Sequence, residues 1–447
     1  MKQRFNLLVS VLIFLIPVGS AKSQNAQNVK KLFEAGPTAF GDQEISAIKA
    51  GISVNRSRLV KIVLPLIDRK AADEVLAKAP KAFGEGPLES LPSLKRVELN
   101  LFDDVSLVTD LRRVSVSADG KTVVWVGTID GMKNSQVSLA TTDGIVSGNV
   151  ATSVGKIYQI RPSEAAKGNS YILERDQASF PKEKEPVHVA PGPPRAADAA
   201  PGSDDGSTID VLIGYTTSAK TAAGGENGIK NLIQIGLNET NQGYANSGVV
   251  QRIRIVHTVE VNYDESSGFD AALDRLTKSS DGSLNKILSL RNQYGADLVS
   301  LWINNSQYCG LANLMTQPDP SFESKAFSVV NVSCATGYYS FAHEMGHNQG
   351  CQHDRNNSDG PGAFPYSYGY QQTVANPIFR TIMAYECSGT PCKRINYWAN
   401  PDVKYEGIPT GTVPHSQQAA DDSLSLNNTR LLVSRFRNAV AIAVTAQ

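Results

Sequence analysis

The stretch His343-Glu344-Met345-Gly346-His347-Asn348-Gln349-Gly350-Cys351-Gln352-His353-Asp354 decides how this chain is read. Its pattern is HExxHxxGxxHD. Residues four apart on an α-helix share a face, one turn apart. His343 and His347 can therefore each offer an imidazole nitrogen to one metal ion. Glu344 follows the first histidine and points beside that ion rather than at it, which suits a general base acting on water. Gly350 lacks a Cβ and tolerates positive φ, so the helix can stop there and the chain can turn back. That turn brings in His353 as a third ligand. Three protein ligands leave one tetrahedral position open, the arrangement of a catalytic zinc site rather than a closed structural one. Zn2+ is the expected cofactor, His343, His347 and His353 its expected ligands, and Glu344 the expected catalytic residue.

The chain has six histidines, and three fall in this one segment. Surface histidines on an amphipathic helix would not need the glycine, the third histidine and the aspartate at fixed offsets. A zinc module that only binds would not need Glu344.

Downstream lies Thr381-Ile382-Met383-Ala384-Tyr385. The extended zinc motif followed by such a methionine turn resembles the metzincin metallopeptidases. The resemblance implies that Met383 forms an apolar floor beneath the zinc. Asp354 directly after the third histidine resembles the reprolysin (adamalysin) type, in which that aspartate is a buried anchor and not a ligand. Tyr385 instead resembles the tyrosine of astacins and serralysins, which can approach the metal; packing is the alternative role. Three further segments, Tyr308 to Ala312, Phe379 to Tyr385 and Arg394 to Pro401, are similar to the bacterial peptidyl-Asp metallopeptidases. The resemblance covers about residues 208 to 440. It implies an edge strand at Gly310 to Leu314 that pairs with an extended substrate. It also implies a pocket, near the methionine turn, for the residue after the cut. Arg380, Lys393 and Arg394 lie in that region. A cation there would favour acidic side chains, but the sequence does not choose among the three.

The chain is 447 residues long, enough for two or three domains. Lys plus Arg number 43 and Asp plus Glu number 43, so the formal net charge is zero. This gives no footprint for nucleic acid and no polybasic membrane patch. Lys2 and Arg4, the apolar run Leu7 to Val18 and the small residues Gly19, Ser20 and Ala21 read as a signal peptide. No later segment reads as a membrane anchor, so the product is expected to be secreted. All five cysteines, Cys309, Cys334, Cys351, Cys387 and Cys392, lie in the C-terminal part. An oxidising compartment favours two disulfides and one odd thiol. Cys387 and Cys392 are close enough to pair, and the other three are left unassigned.

Four regions follow. Residues 1–22 are the signal peptide. Residues 23–180 read as a propeptide with a helical start, about 28 to 82, and then a β-rich part. Residues 181–206, rich in Pro, Ala, Gly and charge, read as an exposed flexible linker holding the activation site, with Ala197–Asp198 and Ser203–Asp204 as candidate cuts. Residues 207–447 alternate strands and helices, which implies an α/β layer. By resemblance this last region is a metzincin-like catalytic domain with a mixed twisted sheet, a zinc-binding helix and a Met-turn, preceded by the β-rich prodomain. A terminal helix at Ser423 to Ala441 is expected to turn Leu426, Leu431, Leu432, Phe436 and Val440 inward.

The reading is a secreted zinc-dependent metalloendopeptidase made as a preproenzyme. Its substrates are proteins or peptides, with acidic residues preferred after the cut, and its own propeptide is the expected inhibitor. The propeptide has no cysteine, so a thiolate cannot block the metal; steric coverage of the cleft is the preferred route, with His188 or a carboxylate as substitutes. The alternative function is a secreted adhesion or binding protein with an inactive metzincin-like domain.

Overall fold

Alternating apolar and polar residues between 95 and 176 build an antiparallel sheet. In this computed structural model the described residues are 29–36, 46, 48–49, 51–78, 87–190, 204–278, 282 and 284–440. The expected signal segment, the Ala197–Asp198 bond and Ser203 lie outside them. The first sheet comprises β1 (Phe33–Ala35), β2 (Arg56–Ile62), β3 (Lys95–Phe102), β4 (Val105–Val116), β5 (Thr122–Ile129), β6 (Met132–Thr142), β7 (Ile145–Ala151), β8 (Lys156–Pro162) and β9 (Asn169–Asp176), in the order β1-β2-β9-β8-β7-β6-β5-β4-β3.

The expected helical start of this region is only partly helical. β1 and β2 join the sheet edge, and α-helix is confined to α1 (Arg69–Lys78) and to Ser46, Ile48 and Lys49 among the described residues. Arg56–Ile62 pairs with β9 from Arg56↔Glu174 to Lys61↔Asn169. Pairing on an existing edge outweighs the weak helical preference of a short, charged segment.

The second sheet has the order β10-β14-β15-β13-β11-β12. Its strands are β10 (Val187–Val189), β11 (Thr208–Thr216), β12 (Arg252–Val261), β13 (Leu298–Ile303), β14 (Gly310–Met315) and β15 (Phe327–Asn331). β12, β11, β13 and β15 are parallel, β14 is antiparallel to β15, and β10 runs parallel to β14. The parallel crossovers use α2 (Thr217–Ala222), α3 (Glu226–Asn246), α4 (Gly268–Lys278) and α5 (Asn285–Tyr294). α6 (Ser340–Asn348), which carries His343 and His347, shares with α3 the apolar cluster of Ile233, Trp302, Phe341 and Met345 on one face. α4 and α5 cover the other face around Phe269, Leu276, Ile287 and Leu301. A parallel sheet covered on both sides explains why β11, β13 and β15 read as almost unbroken apolar runs.

α3 is the shared wall between the two sheets. Val124 and Val126 of β5 pack into the same cluster as Ile229 and Leu232 of α3. Asn231 donates to the Ile145 carbonyl (2.8 Å) and accepts from Thr142 Oγ1 (2.7 Å). On its opposite face β5 buries Trp125, whose indole N–H donates to the Ile67 carbonyl (2.8 Å).

Segment 181–206 is not exposed throughout. Residues 182–189 lie along β14: Cys309 N donates to Lys182 O (3.0 Å), Lys184 N to Gly310 O (2.9 Å), and Val187–Val189 pair with Asn313–Met315. The unpaired edge of β14 supplies the backbone partners that composition cannot reveal. The terminal helix is also shorter than expected. α7 (Asp422–Val433) starts at the Asp421 cap on Leu424 N (2.9 Å) and ends at Ser434, so Leu426 and Phe436 are buried while Leu431 and Val440 are exposed.

Disulfides join Cys309 to Cys334 and Cys387 to Cys392, leaving Cys351 as a buried free thiol. Among the described residues, no helix is long and apolar enough to cross a membrane.

Candidate active site

α6 begins after Tyr339, which takes a left-handed conformation (φ 66°), and it is buried along its whole length. The helix stops at Gln349, and Gly350 turns the chain back with φ of 93°. Its carbonyl then accepts from Ala363 N (2.8 Å). This turn carries His353 back to the helix. The Nε2 atoms of His343, His347 and His353 stand at the corners of a triangle with 3.1 Å sides.

The other ring nitrogens fix the tautomers. His343 Nδ1 is 2.9 Å from the Ile382 carbonyl and His347 Nδ1 is 2.8 Å from the Cys351 carbonyl. A carbonyl only accepts, so both Nδ1 atoms carry the proton and both Nε2 atoms present lone pairs. His353 Nδ1 faces the Glu185 carboxylate at 3.1 Å. Three convergent nitrogens cannot satisfy one another, and a cation at their centre resolves the conflict. Two nitrogens about 2.0–2.1 Å from a tetrahedral ion lie roughly 3.3 Å apart, close to the separation here. The residues therefore fit a metal ion, and this is the metal-competent histidine cluster among the described residues. Burial pushes the His343 imidazole down to about 3 and the His347 imidazole well below its ordinary value, so both stay neutral.

Glu344 is fully buried, and neither carboxylate oxygen has a protein partner. Burial, reinforced by the nearby Glu183 charge, raises its carboxyl well above the usual range. The backbone of Gly310 passes so close that a Cβ there would stand 2.1 Å from Glu344 Oε1. A buried acceptor pair without donors is costly in a finished core. Here it faces β14.

The loop that carries Met383 packs against α6. Met383 is buried, and its sulfur packs at Gly346 between the two helical histidines. Asp354 accepts from Tyr385 N (3.0 Å) and from Asn357 Nδ2 (2.9 and 3.0 Å), which ties the turn after His353 to the loop after Met383. It lies outside the histidine cluster.

A family model described as Metallo-peptidase family M12 (Reprolysin_5) matches residues 205–399. A peptidyl-Asp metalloendopeptidase of Xanthomonas campestris pv. campestris is 33% identical over 77% of this chain and 83% of its own length. The chain belongs to the peptidyl-Asp metalloendopeptidases of the reprolysin-like M12 group. Two further relatives of that name, from two strains of Stenotrophomonas maltophilia, are 38% and 36% identical, covering 63% and 67% of this chain and 66% and 70% of theirs.

The three cations considered for this metalloendopeptidase's pocket separate cleanly. Arg380 is buried and spent on the loop's own carbonyls, donating to Cys392 O (3.2 Å) and Ala384 O (2.9 Å), with further bonds to Tyr338 Oη and Glu386. Lys393 turns toward the first sheet, onto Ser153 O and the Tyr405 ring. Arg394 is the one that meets the segment 182–189, forked onto Glu183 at 2.5 and 2.8 Å. Burial alone would raise the Glu183 carboxyl, but the Arg394 guanidinium overrides it and holds Glu183 well below the usual carboxylate range. The Tyr385 ring lies 4.0 Å from that of His353, tilted by 38°, and its hydroxyl donates to the Glu183 carbonyl (2.8 Å).

His188 is not at the cluster; its Nε2 lies 2.7 Å from Asp359. Sequence reading missed Glu183 and Glu185. They sit in the run Lys182-Glu183-Lys184-Glu185, which looks like any solvated charge cluster.

Proposed function

We propose that this metalloendopeptidase is a secreted zinc enzyme made as a preproenzyme, with His343, His347 and His353 holding the metal and Glu344 acting as general base. One observation carries the reading: three buried Nε2 lone pairs converge at 3.1 Å beside a buried, unpartnered carboxylate. Bound there, zinc supplies Lewis acidity to water and to the scissile carbonyl. The rest is done by the protein. β14 pairs main chain to main chain with an extended substrate, as it now pairs with residues 182–189. Glu344, free of protein donors, takes the proton of the attacking water and returns it to the leaving nitrogen. Tyr385 offers its hydroxyl to a backbone carbonyl in the same lane. Met383 acts as the floor of a Met-turn.

The nine-stranded unit serves as the prodomain. Its support is the strap of residues 182–189, which lies across the lane that substrate would need. Latency here is steric: Glu183 is tied to Arg394 and Glu185 reaches the rear nitrogen of His353. Two disulfides fit an exported protein, and the relatives' name supports a preference for aspartate at the cut.

The test is casein digestion by the processed protein, with metal content measured in parallel. Zinc near one equivalent, loss of digestion on chelation, and a metal-loaded Glu344→Gln protein slower by about 100-fold or more are the expected results. A zinc-loaded, processed protein that digests no polypeptide would sink the assignment.

A further inference from the structure

Glu183 and Ser340 place a carboxylate binding site next to the histidine cluster. The Glu183 side chain is fully enclosed. Its Oε1 accepts from Arg394 Nη1 (2.5 Å) and from Ser340 Oγ (2.8 Å), and its Oε2 accepts from Arg394 Nη2 (2.8 Å). The guanidinium lies 4.4 Å over the Tyr338 ring and donates again to the Tyr338 carbonyl (3.2 Å). Arg394 and Ser340 belong to the metallopeptidase region, on the loop after Met383 and at the first turn of α6. Glu183 belongs to the strap.

The backbone of Glu183 runs between Tyr385 and β14, beside the histidine cluster. Its carbonyl is held by Tyr385, whose ring packs against His353, and the next residue donates from Lys184 N to the carbonyl of Gly310, which abuts Glu344. A residue at this point in the lane therefore sends its side chain to Arg394. When the strap leaves, a buried guanidinium and a hydroxyl donor face the cleft with no anion. An orphaned buried charge is strongly unfavourable, so an incoming carboxylate is selected and a neutral side chain is penalised.

We propose that Arg394, assisted by Ser340, is the subsite that reads the acidic side chain of the substrate, and that Glu183 fills it as an internal substrate mimic until the N-terminal unit is removed. This rests on the zinc endopeptidase reading above. The bidentate fork selects the carboxylate itself, so aspartate and glutamate both qualify by charge, and reach decides between them.

The test uses the full chain, expressed, allowed to process, and assayed on two peptides that differ only by Asp or Asn after the cut. Changing Arg394 alone would orphan Glu183 during folding, so the main variant is Glu183→Gln with Arg394→Gln, which keeps a hydrogen-bonded neutral pair. Wild type is expected to favour the Asp peptide by about 100-fold or more in kcat/KM, because unmatched buried polar groups discriminate on that scale. The double variant is expected to bring that ratio to within about tenfold of unity, by losing rate on the Asp peptide and by lifting the penalty that the unmatched guanidinium places on the Asn peptide. A second variant, Glu183→Gln alone, is expected to raise the activity of the unprocessed chain about tenfold. Once processed it should match wild type in its Asp to Asn ratio, because the altered residue departs with the strap. A double variant that keeps the wild-type ratio overturns the subsite, and unchanged leakage from the single variant overturns the mimic. A wild-type protein that is fully loaded yet cleaves neither peptide overturns the endopeptidase reading instead.

Discussion

Gly310 and Glu344 are in backbone-to-carboxylate contact: a Cβ on the glycine would lie 2.1 Å from Oε1 and 2.6 Å from Cγ and Cδ of the glutamate. In the proposed mechanism the strand that aligns a peptide and the base that acts on it are therefore in direct contact, so substrate pairing and proton transfer meet at this one point between β14 and α6.

Gly310→Ala should therefore disable the base without dismantling the metal site. The methyl group must push Glu344 aside, and loss of a positioned general base costs about 100-fold or more in kcat. Bound zinc, measured by atomic absorption, should remain near one equivalent. Full activity in the alanine protein would show that Glu344 works from another position.

The sulfur of Met383 and the ring of Trp398 close on α6 at Gly346, where an added Cβ would meet them at 2.6 and 2.7 Å. Gly346→Ala overpacks this floor at a cost of about 1–3 kcal/mol. Because Gly346 lies between His343 and His347, the strain falls on the triangle itself. Zinc affinity, titrated with a competing chelator, should fall about tenfold. An unchanged affinity would mean that the floor does not position the histidines.

Asp354 holds Tyr385 N and the Asn357 side chain with one buried carboxylate. Asp354→Ala leaves those donors without their charged acceptor, which costs about 3 kcal/mol. Urea unfolding should show that loss, and zinc should still bind because the aspartate lies outside the histidine cluster. Loss of metal without loss of stability would make Asp354 a ligand.

The docking of the two sheets should weaken as pH rises. Glu239 of α3 is buried against the first sheet, and burial raises its carboxyl to about 7 despite hydrogen bonds from Gly337 N (2.7 Å) and Asn149 Nδ2 (3.2 Å) and the charge of Arg161. An acid whose folded pKa is raised binds its proton more tightly when folded, so its stabilising contribution is complete below the ordinary carboxyl range near 4.5 and is lost as pH climbs through 7. The total across that window is about 3 kcal/mol. The thermal midpoint of the full chain should fall from pH 5 to pH 8, and Glu239→Gln should flatten the slope. Equal slopes for both proteins would remove Glu239 as the cause.

The histidine cluster was legible where geometry is local. His343 and His347 share a helix face by spacing alone, and Gly350 announces the turn that returns His353. The α/β character of residues 207–447 was legible from their alternation of strands and helices. The start of the N-terminal unit was not: β2 reads as a charged segment until β9 offers it a partner. The C-terminal helix was overextended because apolar period continues past Ser434 while backbone pairing does not.

What the sequence determined by itself is the set of three imidazoles and one carboxylate, because one helical turn and one glycine fix their separation. What only the tertiary structure decided is which cation meets an acid and whose acid it is. Glu183 and Arg394 lie 211 residues apart, in segments with no shared period. They meet because the open edge of β14 captures a passing strand and the loop after Met383 turns Arg394 into the same enclosed space. Burial makes that meeting obligatory, since a charge removed from water must find its opposite.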